Sequence, residues 1–242
     1  MYYNEYNKSD EKGIFQVIEH KRDLAVGPET AEAEFFMSRM GVRKKQILAK
    51  LNGNTGVTTQ VGAMQWMAGN VYATTGLKGA GYLMLEPTYK YMLLEDVADW
   101  EGRLVLDDGL FLACESTVQH KLQARSNVSS VMFGKMGLFN MKLVGKGIAV
   151  LESNVPREQL IEIELVDDVL KIDGNFAICW SGTLEFSTER SGKTLIGSAA
   201  SGEGLVNVYR GTGKVLLSPL DDPNSLVSAA QVGTTTGNHQ TR

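Results

Sequence analysis

The chain has 242 residues, 43% of them apolar and 21% charged, with a formal net charge of −4. That length can bury a substantial core, as one large domain or several small ones. No basic excess points to nucleic acid, no apolar run approaches the roughly 20 residues of a membrane helix, and two cysteines are too few for a disulfide framework.

Residues 1–12 read as a polar lead, unlike a secretory signal or an Arg-rich transit peptide. Phe15-Gln16-Val17-Ile18 starts the first strand-like run, and the Glu29–Met40 stretch fits a helix or a strand. From residue 41 onward strand signals dominate. The short basic pieces His20-Lys21-Arg22 and Arg43-Lys44-Lys45 read as solvated loops or strand edges, as does the acidic turn through Glu95, Asp96, Asp99 and Glu101. Leu104-Val105-Leu106 runs into Asp107-Asp108-Gly109, and Leu170-Lys171-Ile172 into Asp173-Gly174. Asp-Gly between apolar runs predicts hairpins, because glycine takes positive φ cheaply. Leu160 to Leu165 alternates apolar and acidic residues, which predicts one buried face and one wet face. Phe176, Ile178 and Trp180 fall on one face of the next strand. Asp221 to Arg242 reads as a loose tail, with a short helix possible over Asn224 to Val232. Short strands at near-regular spacing, with 26 glycines, argue for an all-β sandwich or barrel.

A Gly-x-Gly element followed by an apolar run occurs three times at a spacing of 66 residues. The copies are Gly79-Ala80-Gly81, Gly145-Lys146-Gly147 and Gly211-Thr212-Gly213, and each runs on to a leucine, Leu85, Leu151 or Leu217. An internal repeat explains this spacing. The element reads as a tight turn that opens a strand. It does not match a dinucleotide fingerprint, since no βαβ unit follows. Gly109 to Ser116 is similar to Gly174 to Ser181, with Gly56 to Ala63 as a weaker first copy. The units implied are 13–88, which is degenerate, 89–155 and 156–220, followed by the tail 221–242. Cys114 and Cys179 take matching positions, so each is expected buried and unbonded in its own unit's interior. Asn140 and Asn207 read as turn or strand-end residues.

The chemistry of catalysis is thin. His20, His120 and His239 are scattered, no Cys/His cluster has metal-ligand spacing, and no Gly-x-Ser-x-Gly elbow occurs. Catalytic residues, cofactors and metals are therefore all expected to be none. Val131 to Met141 is Met-rich and glycine-broken. It reads as core or subunit interface, or else as an exposed patch through Met132, Phe133, Met136 and Phe139 for a protein or membrane-surface partner.

Three stretches carry a family resemblance. Gly62-Ala63-Met64-Gln65-Trp66-Met67-Ala68-Gly69-Asn70-Val71 is similar to the Gly-Ala-Met-x-Tyr-Met motif of the altered inheritance of mitochondria (number twenty-four) family, whose bacterial branch is a domain of unknown function. Glu203-Gly204-Leu205-Val206-Asn207-Val208, with Gly211 to Leu217, resembles its C-terminal signature, and the intervening unit fits its second repeat. Only Tyr72 to Lys78 separates the first motif from Gly79, where the family has a longer stretch. The resemblance implies three tandem short double-stranded β-helix units, like the tryptophan RNA-binding attenuation protein subunit, with pseudo-threefold symmetry inside the chain. It also implies a homotrimer forming a pseudo-ninefold ring. Eukaryotic members of the family support mitochondrial inner-membrane organisation, and its bacterial members have no established activity. The leading expectation is a cytoplasmic, non-catalytic, ring-forming scaffold or interaction protein that does not bind nucleic acid. The alternative is a small-molecule-binding module at repeat or subunit junctions.

Overall fold

Short aliphatic runs closed off by glycines fold as strands, because β-branched and aliphatic side chains pack well on a pleated surface. The computed structural model describes residues 8–21, 27–124, 139–190 and 205–220, which are almost entirely β. An N-terminal hairpin, β1 (Lys8–Lys12) and β2 (Phe15–Glu19), turns at Gly13 and lies against β3 (Lys45–Asn52). The expected polar lead thus contains a strand. The ambiguous Glu29–Met40 stretch is a helix, α1 (Ala31–Arg39). It docks through a charge. Glu34 is its buried residue, held by Lys44 Nζ at 2.7 Å and by the Tyr89 hydroxyl, while Phe35, Phe36 and Met40 are exposed.

Three segments then follow one pairing plan. Each ends in a long strand bent at its Gly-x-Gly element. These are β6 (Leu77–Leu85), then β11 (Phe139–Gly145) continuing as β12 (Ile148–Ser153), then β16 (Leu205–Leu217). One flank of the long strand is covered first: by β3 and β4 (Val57–Thr59), by β7 (Tyr91–Asp96) and β8 (Arg103–Leu106), and by the single strand β13 (Ile161–Asp173). The opposite flank is covered next: by β5 (Met64–Ala73), by β9 (Phe111–Glu115) and β10 (Val118–Ala124), and by β14 (Ala177–Ser181) and β15 (Glu185–Arg190). All pairings are antiparallel. They assemble a nine-stranded and a seven-stranded sheet.

The register matches from segment to segment. Leu85, Leu151 and Leu217 pair with Met64, Phe111 and Ala177, while Met84, Val150 and Leu216 pair with Trp66, Ala113 and Cys179. A β-bulge separates these two pairs in all three places. The first-segment counterpart of Gly109 to Ser116 is therefore the stretch through Met64 and Trp66, not Gly56 to Ala63. Glu101 and Asp167, described non-glycine residues with φ of 51° and 50°, lie at matching positions.

The Gly-x-Gly elements do not open strands after a tight turn. They lie inside β6 and β16, and at the break between β11 and β12. All six glycines have positive φ, from 114° to 155°. At all of them but Gly211 the flanking chain also leaves a Cβ less than 3 Å of room. A Cβ on Gly79 or Gly81 would collide with the Asn70 or Ala68 carbonyl, and one on Gly145 would sit 2.7 Å from the Thr117 carbonyl oxygen. The Asp-Gly turns do not close hairpins either. β8 pairs with β11 and β14, and β9 pairs with β12 and β4. β13 and β14 take opposite edges of β16, where Leu217 pairs with both Ile161 and Ala177. Positive φ at Gly109 (75°) and Gly174 (73°) carries the chain across the long strand.

Cys114 and Cys179 are buried and free, but they share one core cluster, with Leu106, Leu143, Leu151 and Leu216. Separate interiors were expected from a 65-residue match. Strand pairing places Cys179 opposite Leu216, as Ala113 lies opposite Val150, which is a 66-residue match. A shift of one residue reverses the face of a strand. Ala113 accordingly joins a second cluster with Leu83 and Leu85, and Trp180 joins a third with Tyr209 and Val215. Ile178, in the bulge, packs on the cysteine cluster, whereas Phe176 packs on the third, so these two do not share a face.

Candidate functional site

Two strand pairings join the segments. β4 meets β9 with Val57, Thr58 and Thr59 opposite Glu115, Cys114 and Ala113. β8 meets β14 with Leu104, Val105 and Leu106 opposite Ser181, Trp180 and Cys179. Matched by register, these are one junction built twice. The chain's two ends carry the remaining halves of the same junction. The β13 stretch Val169–Ile172 corresponds to β8, and the β5 stretch Met64–Ala68 corresponds to β14. Among the described residues, β13 pairs only with β16, and β5 only with β6.

Both edges carry solvent-facing apolar side chains. Met64, Met67 and Tyr72 on β5 are 43–52% exposed, and Val169 on β13 is 46% exposed. Of the residues alternating with Glu162 and Glu164, Leu165 is buried and Ile163 half-buried as predicted, but Ile161 is half exposed, on this open edge. β13 is rich in carboxylates and β5 has no charge.

The backbone amide just after the bend is served differently in each segment. Ile148 N donates to Glu115 Oε2 at 3.1 Å, and Lys214 N donates to Ser181 Oγ at 2.9 Å. At the matching place in the first segment, Ala68 pairs with Tyr82 in an unbroken ladder. Beside the second junction, Arg157 bridges Glu95 and Glu162, and Lys214 also reaches Glu162.

A groove of about 380 Å³ follows the first junction, lined by Thr58, Lys78, Ser116, Gln119, His120 and Lys121 among others. A groove of about 230 Å³ follows the second, with Val105, Lys142, Trp180, Gly182, Glu185 and Phe186. Ser116, Gln119 and His120 match Gly182, Glu185 and Phe186 at 66 residues, so the two grooves occupy equivalent places. A third cavity, of about 270 Å³, lies where Asp107, Asp108 and Asn175 face Lys90 and Glu152. Its polar groups are largely engaged with one another, as Asn175 Nδ2 donates to Asp107 Oδ2 at 2.8 Å and Lys90 Nζ lies 3.3 Å from Glu152.

Burial and the neighbouring Glu115 push the Cys114 thiol up to about 12, and burial pushes Cys179 well above its ordinary value. Thiols held protonated are poor nucleophiles and poor ligands. His20 Nε2 contacts Gln46 Oε1 at 2.6 Å, His120 lines the larger groove, and His239 lies outside the described residues. Among the described residues no group of three or more His, Cys, Asp or Glu could hold a metal, and no helix is long and apolar enough to cross a membrane. Met132, Phe133 and Met136 lie outside the described residues, as does the side chain of Phe139, which opens β11. Asn140 is buried near the start of β11, and Asn207 is buried within β16, donating to the Gly174 carbonyl at 3.0 Å. The edge residues Trp66, Met67 and Val169 and the groove lysines Lys78, Lys121 and Lys142 were not singled out from sequence. Trp66 and Met67 lie inside the Gly-Ala-Met stretch and Lys78 and Lys142 beside Gly-x-Gly elements, whereas Val169 and Lys121 carry no local signal.

Comparison with known proteins places this geometry. The family model described as Mitochondrial biogenesis AIM24 matches residues 39–220. An uncharacterized protein of Streptococcus pyogenes serotype M6 is 29% identical over 179 residues, covering 71% of this chain and 69% of that protein. The crystal structure of a Streptococcus pyogenes protein superposes with a TM-score of 0.56 at 21% identity, covering 79% of this chain and 94% of the other. At that identity the likeness is one of fold.

Proposed function

The chain belongs to the mitochondrial biogenesis AIM24 family, and from that premise we propose that it is a non-catalytic scaffold of three tandem double-stranded β-helix units that closes head to tail into a homotrimeric ring. One observation carries the reading: the junction built twice inside the chain leaves its two halves open at opposite ends, on β13 and β5. Unpaired edges with exposed apolar residues invite pairing. Heterologous edges of this kind make rings when the rotation closes. The number three comes from the fold resemblance. Copying the internal register sets Trp66 of one copy opposite Ile172 of the next, Met67 opposite Lys171, and Ala68 opposite Leu170. Carboxylates crowd β13 and are absent from β5, which favours this pairing over β13 against itself. Two free thiols agree with a reducing, cytoplasmic setting.

Light scattering is expected to give three times the 26.4 kDa chain mass. A variant carrying both Ala68→Cys and Leu170→Cys is expected to form intermolecular disulfides on mild oxidation, with Cys114 and Cys179 silent in the core. A monomer mass, or cross-linking no better than with Ala73→Cys in place of Ala68→Cys, would remove the ring. The alternative reading, small-molecule binding at unit junctions, draws support from the paired grooves.

A further inference from the structure

We propose that the groove along the first junction binds the phosphate group of a small, soluble phosphate ester. Both walls belong to one chain, so this does not rest on ring closure. Lys78, His120 and Lys121 line it together with the Thr58 and Thr75 hydroxyls, over a floor of buried Val57, Leu77 and Val118. Among the described residues no carboxylate lines it. Lys12, Lys44, Lys45, Lys50, Lys90 and Lys214 each have a carboxylate within 4.0 Å, but Lys78 and Lys121 have none among the described residues. Among the described residues the groove thus carries three basic side chains, two of them lysines without a carboxylate partner, in a protein whose net charge is −4. Lysine ammonium groups act as strong point-charge partners for phosphate oxygens, and threonine hydroxyls can complete the shell.

The groove is shaped to hold its lysine. A Cβ on Gly56 would stand 2.8 Å from Lys78 Cγ, so the glycine leaves room for the lysine stem. The second groove also seats a glycine against a lysine, from other positions in the register, with a Cβ on Gly182 standing 2.9 Å from Lys142 Cε. The two then differ in charge. Where the first has Gln119 and His120, the second has Glu185 and Phe186, and it is smaller. Glu185 offsets Lys142, so the anion preference belongs to the first groove. Apolar Val57, Leu77 and Val118 beneath the cations suit a compact ester body better than a bare inorganic ion.

The test is calorimetric titration of the full chain with glycerol 3-phosphate, inorganic phosphate, phosphatidylglycerol vesicles and a single-stranded RNA. Saturable binding of glycerol 3-phosphate is expected, weakened about tenfold or more in the Lys78→Gln/Lys121→Gln variant, since each lost charge-assisted contact costs about that factor. Lys142→Gln should bind as the parent does. Vesicle binding without ester binding, lost in the same double variant, would move the phosphate to a lipid headgroup and overturn the soluble ester. Tighter binding to RNA than to the ester, no saturable ester binding, or ester binding indifferent to the double variant would each overturn the proposal. Scattering mass and thermal midpoint of the double variant, expected unchanged, separate loss of the ligand from loss of the ring or of the fold.

Discussion

The first and third segments solve one geometric problem in two ways. In the first, β5 runs unbroken beside both halves of β6, so its backbone lies directly over Gly79 and Gly81. In the third, the chain breaks after Ser181, β14 and β15 pair separately with β16, and the serine hydroxyl takes the amide of Lys214. What would meet a Cβ differs accordingly: backbone carbonyls at Gly79 and Gly81, but side chains of Ser181, Thr183 and Leu184 at Gly213. A continuous ladder satisfies backbone amides without help from side chains, yet it depends wholly on glycine. A broken one tolerates more at the bend but needs a dedicated acceptor.

The largest effect should come from breaking the tight crossing. Gly81→Ala combines φ of 153° with a collision against the Ala68 carbonyl, and should cost about 3 kcal/mol or more in urea unfolding. Gly211→Ala, with φ of 114° and its nearest neighbour, Leu184 Cδ2, 3.9 Å away, should cost about 1–2 kcal/mol. Equal losses would mean that the two crossings are not different after all. A middle effect should come from the acceptor. Ser181→Ala leaves the Lys214 amide unserved and should cost about 1–2 kcal/mol. Ala68→Ser, at the matching place in the ladder, should stay within about 0.5 kcal/mol. A costly Ala68→Ser alongside a silent Ser181→Ala would reverse the comparison.

The smallest effect is electrostatic and belongs to the third segment. Burial pushes the Glu162 carboxyl up, but hydrogen bonds from Arg157 and Lys214 outweigh it and hold the group below its ordinary value of 4.5. A depressed folded value stabilises the fold above the unfolded value, and that contribution is lost as pH falls through the lower, folded one. Arg157 is 43% exposed, so screening limits the term to about 0.5 kcal/mol. The stability gap between the parent and Arg157→Ala should therefore be present at pH 6 and vanish well below pH 4.5. A gap that persists at low pH would assign Arg157 a packing role instead.

The 66-residue spacing of the bends was legible in sequence because all six positions hold positive φ, which favours glycine whatever lies beside it. The all-β class and the free, buried thiols were legible for similar local reasons. What the turns connect was not. Asp-Gly favours positive φ wherever the chain must reverse, and nothing local says whether the next strand pairs with the last or crosses to the far flank of β16. The likeness of Gly109–Ser116 to Gly174–Ser181 runs at 65 residues while strand pairing runs at 66, so Cys114 and Cys179 fall one residue out of step with each other in their strands. Helix α1 was ambiguous because its docking residue is Glu34 and its phenylalanines point outward, the reverse of an amphipathic pattern. The groove escaped notice because Lys78 and Lys121 look like ordinary solvated strand residues until the fold sets two distant strands along one groove.

The shared cysteine cluster has a consequence for cooperativity. It draws Leu93, Leu104 and Leu143 from the middle of the chain and Leu160, Cys179 and Leu216 from the last part. The second cluster likewise mixes Leu83 and Leu85 with Ala113 and Val150, and the third takes Val105. Apolar interiors therefore lie astride the boundaries, as the mortar does between courses of brick. Neighbouring segments stabilise each other through the interiors they share. The middle course contributes to every layer of mortar, so its loss would expose apolar surface on both sides at once, and neither outer course carries a complete interior of its own.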